Sequence, residues 1–422
     1  MVKLFISHST SSDKRTARLR DGIADGLKGR EYDVLLDVRI RRPSRPWQLK
    51  LACFLGECDA ALVLVNKAAL TSDWVRRETN ILHWRKTLNP AMVLVTVLVG
   101  AVSPEELRNS EIGYLAEDDL EKIGPGGSAG SAAEVGRLVA MFPKVLRAGN
   151  DAVSSWLRNI AIQLSEIKHE STFAEIAQEL EIPAEEHTEL VPGMAPVLLA
   201  SQMLDTHDIA KLLKTLLAAL DGGLEPRRTA LLATMVFPAW VDRDEARRIV
   251  RDTDGSVRRV IILNVDSPLI GQQYLDRAFC VNSRSYYIAQ AVGRPLGEDD
   301  PESYLLHQCE GAVKAALGLE PHDELGALKE PAGFGRFFLL LDAKRCDLRI
   351  VHRVIAQLHE KVPWMQVLVI PGRGANARER WPGSPDEVLV LDPPFEASHE
   401  NVVKSAVLRV ADKVGTVNGR SW

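Results

Sequence analysis

The side chains best suited to chemistry are concentrated in the segment Leu70-Thr71-Ser72-Asp73-Trp74-Val75-Arg76-Arg77-Glu78. Ser72 is a good helix N-cap and Asp73 is favourable in a first turn, so a helix is predicted to begin here. Trp74 and Glu78 stand four residues apart and share one face of that helix, close to its start. A carboxylate beside an indole in a half-dry site can stabilise a sugar cation. It acts by electrostatics and by hydrogen bonds to ribose hydroxyls, as in glycosidic cleavage through oxocarbenium-like states. A plainer assignment competes on spacing alone: Glu78 as a surface acid answering Arg77 or Lys86. The other chemistry-bearing residues are less organised. His352 and His359 lie seven apart on one predicted helix and His307 precedes Glu310 by three, with no convergent partner to complete a metal site. Asp342 ends the apolar run 337–341, an arrangement common to metal-binding strand ends and to ordinary α/β cores. Trp240, Asp242 and Asp244 read as an acidic turn capping a helix. No metal site is expected.

Elements able to position Glu78 are legible around it. Short aliphatic runs at 3–7, 34–36, 60–65 and 92–99 read as buried strands. Helical periodicity at 13–27, 47–55 and 71–84 alternates with them. Strands of this kind interleaved with amphipathic helices predict a parallel sheet covered on both faces, with ligands outside the carboxyl ends of the strands. The residues to inspect are then 7–9, 37–39 and 66–72. Further on, 124–133 is a Gly/Ser/Ala loop or linker by composition. Residues 151–180 read as helical, with Trp156, Ile160, Ile162, Phe173, Ile176 and Leu180 as the packing face. Residues 185–193 are polar and contain proline, and 195–250 are mostly helical. The remainder is α/β, with strands at 259–263, 337–341, 366–370 and 388–391 and helices at 348–359 and 401–414.

Composition narrows the classes. The 422 residues are 46% apolar and 26% charged, a soluble balance that excludes wholesale disorder and fibrous repeats. The longest apolar stretch, 91–99, is strand-sized, and the first residues turn polar at once, so neither a membrane helix nor a secretory leader is expected. Five scattered cysteines without a CxxC pattern fit a reducing cytoplasm rather than a disulfide framework. Residues 1–100 hold 17 Lys and Arg against 10 Asp and Glu, so this part is basic within a chain of net charge −5. A basic front on an acidic body favours docking between copies or within a chain, or capture of an anionic ligand. The densest basic run, Arg39, Arg41, Arg42 and Arg45, has no interleaved aromatics or reader motif, so nucleic acid is not an expected partner.

Four blocks in order carry a family resemblance: Lys3-Leu4-Phe5-Ile6-Ser7-His8-Ser9, Asp33-Val34-Leu35-Leu36-Asp37, the run Cys58 to Asn66, and Ser72-Asp73-Trp74-Val75-Arg76-Arg77-Glu78. Together they resemble a Toll/interleukin-1 receptor (TIR) domain of the bacterial kind that often heads an effector chain, and the last is similar to that family's Ser-x-Trp-x-x-x-Glu helix. The resemblance implies a flavodoxin-like fold. It also implies that Glu78 is the catalytic residue of an NAD+ glycohydrolase, releasing nicotinamide and ADP-ribose or a cyclic variant. By the same match His8 and Ser9 line the nucleotide pocket. Arg39 falls where some NAD-cleaving members place an acid, and a cation there can pair with the pyrophosphate. Trp47, Asn66, Ser72 and Trp74 are further substrate-binding candidates. One departure is the loop Arg41-Arg42-Pro43-Ser44-Arg45-Pro46-Trp47, where two prolines stiffen a segment that usually carries a glycine.

The expected organisation is α/β throughout: a TIR domain at 1–148, a helical linker at 149–190, and a helical plus α/β sensor or assembly domain at 191–422. NAD+ is expected as substrate with no separate cofactor. Self-association through TIR domains is expected, with a trigger ligand or partner protein at the C-terminal part and a role in antiphage or abortive-infection defence. The alternative is a non-enzymatic TIR scaffold. The C-terminal part loosely resembles degenerate P-loop (STAND-like) modules, but the chain contains no Gly-Lys pair for a Walker A loop. Pro371-Gly372-Arg373-Gly374 is its nearest glycine loop after a strand.

Overall fold

The computed structural model describes residues 2–9, 14–36, 55, 58–88, 92–117, 119–123, 131–142, 152–182, 195–251, 260–281, 286–293, 300–327, 336–374, 377–384 and 387–415. The chain divides into two compact units, residues 1–205 with 221–224, and residues 206–220 with 225–422.

The first unit is built on a parallel sheet of β1 (Val2–His8), β2 (Tyr32–Leu36), β3 (Ala60–Val65), β4 (Val93–Val99) and β5 (Asp119–Ile123), in the order β2-β1-β3-β4-β5. Alternation along the strands sends side chains to two separate cores. Leu4 and Ile6 pack with Leu19, Ile23 and Leu27 of α1 (Lys14–Lys28). Phe5, Val63 and Val65 pack instead with Val75 and Leu82 of α2 (Asp73–Leu88). A short helix α3 (Pro104–Arg108) adds Leu107 to this second core. α4 (Ala132–Ala140) lies against α1, where a Cβ on Gly22 or Gly26 would come within 3.0 Å of Val135 or Val139. β5 has no counterpart among the expected strands, because Asp-Leu-Glu-Lys-Ile mixes charge with apolar residues as an edge strand can. Residues 151–180, expected to be helical, form two helices, α5 (Ala152–Leu164) and α6 (Glu170–Glu179). Five of the six residues assigned to the packing face are buried, whereas Ile162 is 48% exposed. α7 (Ala195–Asp205) packs on α5, which also contacts α2. Of the helix expected at 47–55, only Leu55 lies within the described residues.

The second unit begins with α8 (Ile209–Asp221), α9 (Pro226–Val236) and α10 (Arg243–Arg251). Asp242 accepts from Glu245 N at 2.8 Å and so caps α10, as its acidic turn predicts. The following parallel sheet comprises β6 (Val260–Leu263), β7 (Tyr286–Val292), β8 (Arg336–Asp342), β9 (Gln366–Ile370) and β10 (Val388–Leu391), in the order β10-β6-β9-β8-β7. β7, an edge strand of alternating character, is the one without a counterpart in the sequence reading. Its helices include α11 (Pro268–Ala278), α12 (Pro301–Leu317), α13 (Leu348–Lys361), α14 (Ala377–Arg380) and α15 (Ala397–Val414).

On α11, Asp276 accepts a hydrogen bond from the Tyr286 hydroxyl, and burial raises its carboxyl to about 6 from 3.8. Between those values the folded chain holds a proton that the unfolded chain has released, so stability falls as pH rises through the window and the full cost of the buried charge stands above it. Asp276→Asn, which keeps an acceptor for Tyr286, is therefore expected to stabilise the second unit at pH 8 by on the order of 2 kcal/mol. Denaturant midpoints at pH 8 and pH 4 test this. An equal effect at both would contradict it.

Candidate functional site

The site forms where β1 ends beside α2. Ser72, extended at φ −89° and ψ 112°, accepts from Val75 N through its side chain at 3.3 Å and from Arg76 N through its carbonyl at 2.9 Å. It thus caps α2 as its sequence predicts and sets where the following turns fall. Glu78, on α2, reaches the sheet and accepts a hydrogen bond from Ser7 Oγ of β1. Ser7 follows Phe5 on the α2 face of the strand. Glu78 is only 1% exposed and is therefore no surface acid. It is a carboxylate taken out of water and held by a hydroxyl at the carboxyl end of the sheet.

His8, one residue on, faces the opposite side. It lies with α1, whose Arg20 donates from Nη1 to His8 Nε2 at 3.3 Å, while His8 Nδ1 is 2.9 Å from the Ser9 carbonyl. A guanidinium can only donate and a carbonyl can only accept, so the ring is neutral with its proton on Nδ1. Burial lowers the pKa of His8, and the positive charge of Arg20 adds to the effect against the Ser9 hydrogen bond. Arg20 is itself buried and paired with Asp21 at 2.8 Å. The unfolded chain takes up a proton near pH 6.5 that the folded chain refuses, so stability is complete above that value and declines as pH falls below it. Unfolding midpoints of wild type and His8→Gln, followed from pH 8 to pH 5, should diverge below 6.5. Parallel curves would rule out His8 as the source.

A family model described as a TIR domain matches residues 4–122, the segment that runs from β1 through Glu78 to β5. The first unit contains a TIR domain. No curated protein matches the chain. Among solved structures, a crystal structure of the Pyrococcus furiosus Hef helicase domain aligns at 10% identity over 90% of this chain and 88% of that one, with a TM-score of 0.18, too low to bear on fold or function.

Within the TIR domain the other expected binding residues are distributed as follows. Asn66 follows β3 on the α1 face. Its Oδ1 accepts from Ala69 N at 2.9 Å and its Nδ2 donates to Thr16 Oγ1 at 3.3 Å, so it joins the turn after β3 to α1. Ser9 is half-buried and presents its carbonyl to His8. Arg39 and Trp47 lie outside the described residues, as does the side chain of Trp74. The structure therefore unites Glu78 with Ser7 on one face of β1 and His8 with Arg20 on the other. In the sequence Ser7 belongs to the strand-end segment 7–9 and Arg20 to the helix predicted at 13–27, and neither is a candidate by itself. Strand alternation from Phe5 and the proximity of a helix carboxylate were the signals for Ser7. For Arg20 there was no local signal, because its partner is twelve residues away on another element.

Proposed function

We propose that this chain is an NAD+ glycohydrolase with Glu78 as its catalytic carboxylate. The observation that carries the reading is the buried Glu78, held by Ser7 at the carboxyl end of the parallel sheet inside a TIR domain. Cleavage breaks the bond between ribose C1′ and the nicotinamide nitrogen, and the electron pair returns to the ring and neutralises the pyridinium. Positive charge then develops at C1′, where a fixed carboxylate in a dry site stabilises it far more than water would. A water molecule adds to C1′ and loses its proton, giving ADP-ribose. Capture by a nucleophile of the same nucleotide gives a cyclic variant. The basic balance of residues 1–100 complements the pyrophosphate.

Because Glu78 is covered, its cover has to move before a substrate of this size meets it. That supports a chain that is idle until assembly or a trigger opens the site, consistent with a defence effector whose second unit senses or assembles. The same burial favours the alternative of a non-enzymatic scaffold if the cover never opens. Purified chain incubated with NAD+ at low and high protein concentration, with nicotinamide and nucleotide products separated by chromatography, tests the reading. Release that rises more steeply than protein concentration is expected. Should release be absent at every concentration, including with residues 1–150 fused to an oligomerising protein, the scaffold reading stands instead.

A further inference from the structure

At the carboxyl edge of the second unit's sheet lies a carboxylate of the chain itself. β6 lies between β10 and β9, and the chain leaves it for β7 at the far side of the sheet, returns through β8 and β9, and then crosses to β10. The loops after β6 and β9 therefore flank the point where the winding reverses, the place where parallel sheets bind anions and nucleotides. The loop after β6 runs into the N-terminus of α11, whose N-cap Ser267 makes no side-chain cap hydrogen bond. The loop after β9 is Pro371-Gly372-Arg373-Gly374. Gly372 has φ +87°, and a Cβ there would approach Lys344 Cγ to 3.2 Å and Asp266 Oδ1 to 3.4 Å, so the two loops and the one after β8 meet closely.

The group at their centre is the carboxylate of Glu400, from α15, which is 1% exposed. Asp266 N donates to both of its oxygens at 3.0 Å, and Arg373 Nε reaches Oε1 at 2.7 Å. Arg373 is fixed in turn: its backbone N donates to Asp266 Oδ1 at 2.9 Å, its Nη1 to the Phe395 carbonyl at 2.7 Å, and its guanidinium lies 4.7 Å from the Phe395 ring centroid. Lys344 Nζ donates to the Asp266 carbonyl at 2.8 Å and pairs with Asp342 at 3.2 Å. A backbone N–H ahead of a helix N-terminus and a guanidinium converging on one oxyanion is how proteins hold phosphate. Arg373 Nη2 is buried and makes no hydrogen bond among the described residues, which leaves the cradle a further donor.

We infer that the second unit retains an anion cradle at its sheet edge and fills it with the chain's own Glu400, which latches α15 to the sheet and keeps nucleotide phosphates out. A buried carboxylate at this position repels a polyphosphate and uses the donors that it would need. Asp342, at the end of β8, is neutralised by Lys344 instead of standing ready for a metal ion, in keeping with an edge that carries out no nucleotide chemistry. Whatever the second unit senses then binds elsewhere, and the unit responds without ATP.

Hydrogen exchange on the full chain tests this. In wild type, residues 264–272 and 397–414 should be protected to the same degree with and without MgATP or MgADP. In Glu400→Ala, exchange of 397–414 should accelerate by at least about tenfold, and phosphate or acetate should slow it again where chloride at equal ionic strength does not. Glu400→Gln keeps the volume without the charge, and it should show the same acceleration if the alanine variant fails to fold. Nucleotide-dependent protection of 264–272 in wild type would overturn the proposal. So would exchange unaffected by either substitution, or a failure of both anions to restore protection in the alanine variant.

Discussion

Glu78→Gln is expected to reduce nicotinamide release by at least about a hundredfold and to leave the fold intact. The substitution keeps the length and shape of the side chain, and the amide oxygen can still accept the Ser7 hydroxyl that Glu78 accepts now. What it removes is the negative charge, which under the proposed reaction is the main source of stabilisation for a cation at C1′ in a site this buried. Because the amide matches the carboxylate in volume and can keep the Ser7 hydrogen bond, packing around position 78 is preserved. The measurement pairs NAD+ turnover with thermal unfolding of the same preparation. Full turnover in the glutamine variant would exclude Glu78 as the catalytic group. If the variant loses turnover and its thermal transition together, the result reports folding alone, and Glu78→Asp then separates reach from charge.

The second large effect is structural. Arg85, on the far part of α2, is buried and reaches Leu55 and Cys58 ahead of β3: Nη1 donates to the Leu55 carbonyl at 2.5 Å and Nη2 to the Cys58 carbonyl at 2.7 Å. Nη1 also lies 3.0 Å from Cys58 Sγ. Arg85→Met keeps much of the stem packing but strands buried carbonyls without their donors, each at a cost of about 1–3 kcal/mol. The TIR domain should therefore lose about 3–5 kcal/mol, read as a lower denaturant midpoint at unchanged slope. Lys86, next along the helix, donates to the Met92 carbonyl at 2.6 Å from a partly buried position and makes the useful comparison. An Arg85 variant no weaker than a Lys86→Met variant would show that Leu55 and Cys58 are held by packing rather than by the guanidinium.

Both predictions bear on how this TIR domain holds Glu78 in place. α2 is anchored at its start by Ser72 and toward its end by Arg85, so the register of Glu78 against Ser7 is determined from both sides. Movement that uncovers Glu78 is then expected from elements other than α2 itself. A triggered or assembled chain should show faster exchange around the carboxyl edge of the sheet while 73–88 remains protected.

Most of the element pattern can be read directly from local spacing, whereas the placement of Glu78 in a site rests on the resemblance of its block, since spacing alone leaves a surface acid open. Aliphatic runs of strand length, period-four apolar residues on the helices and a Ser-Asp helix start are all properties of neighbouring residues, and such signals persist wherever the chain is placed. The edge strands β5 and β7 were not legible for the same reason: with one neighbour each they tolerate polar residues, and their runs lose the purely apolar signature. Strand order decided the rest. Ser7 meets Glu78 across 71 residues, and Asp266 meets Glu400 across 134, because particular strands and helices become neighbours only when the sheets form. In the sequence Glu400 is one of two acids in 397–414 and stands just ahead of the helix expected at 401–414. Its burial against Arg373 follows from β6 lying between β9 and β10, an arrangement set by the packing of whole layers, to which no local run of residues is sensitive.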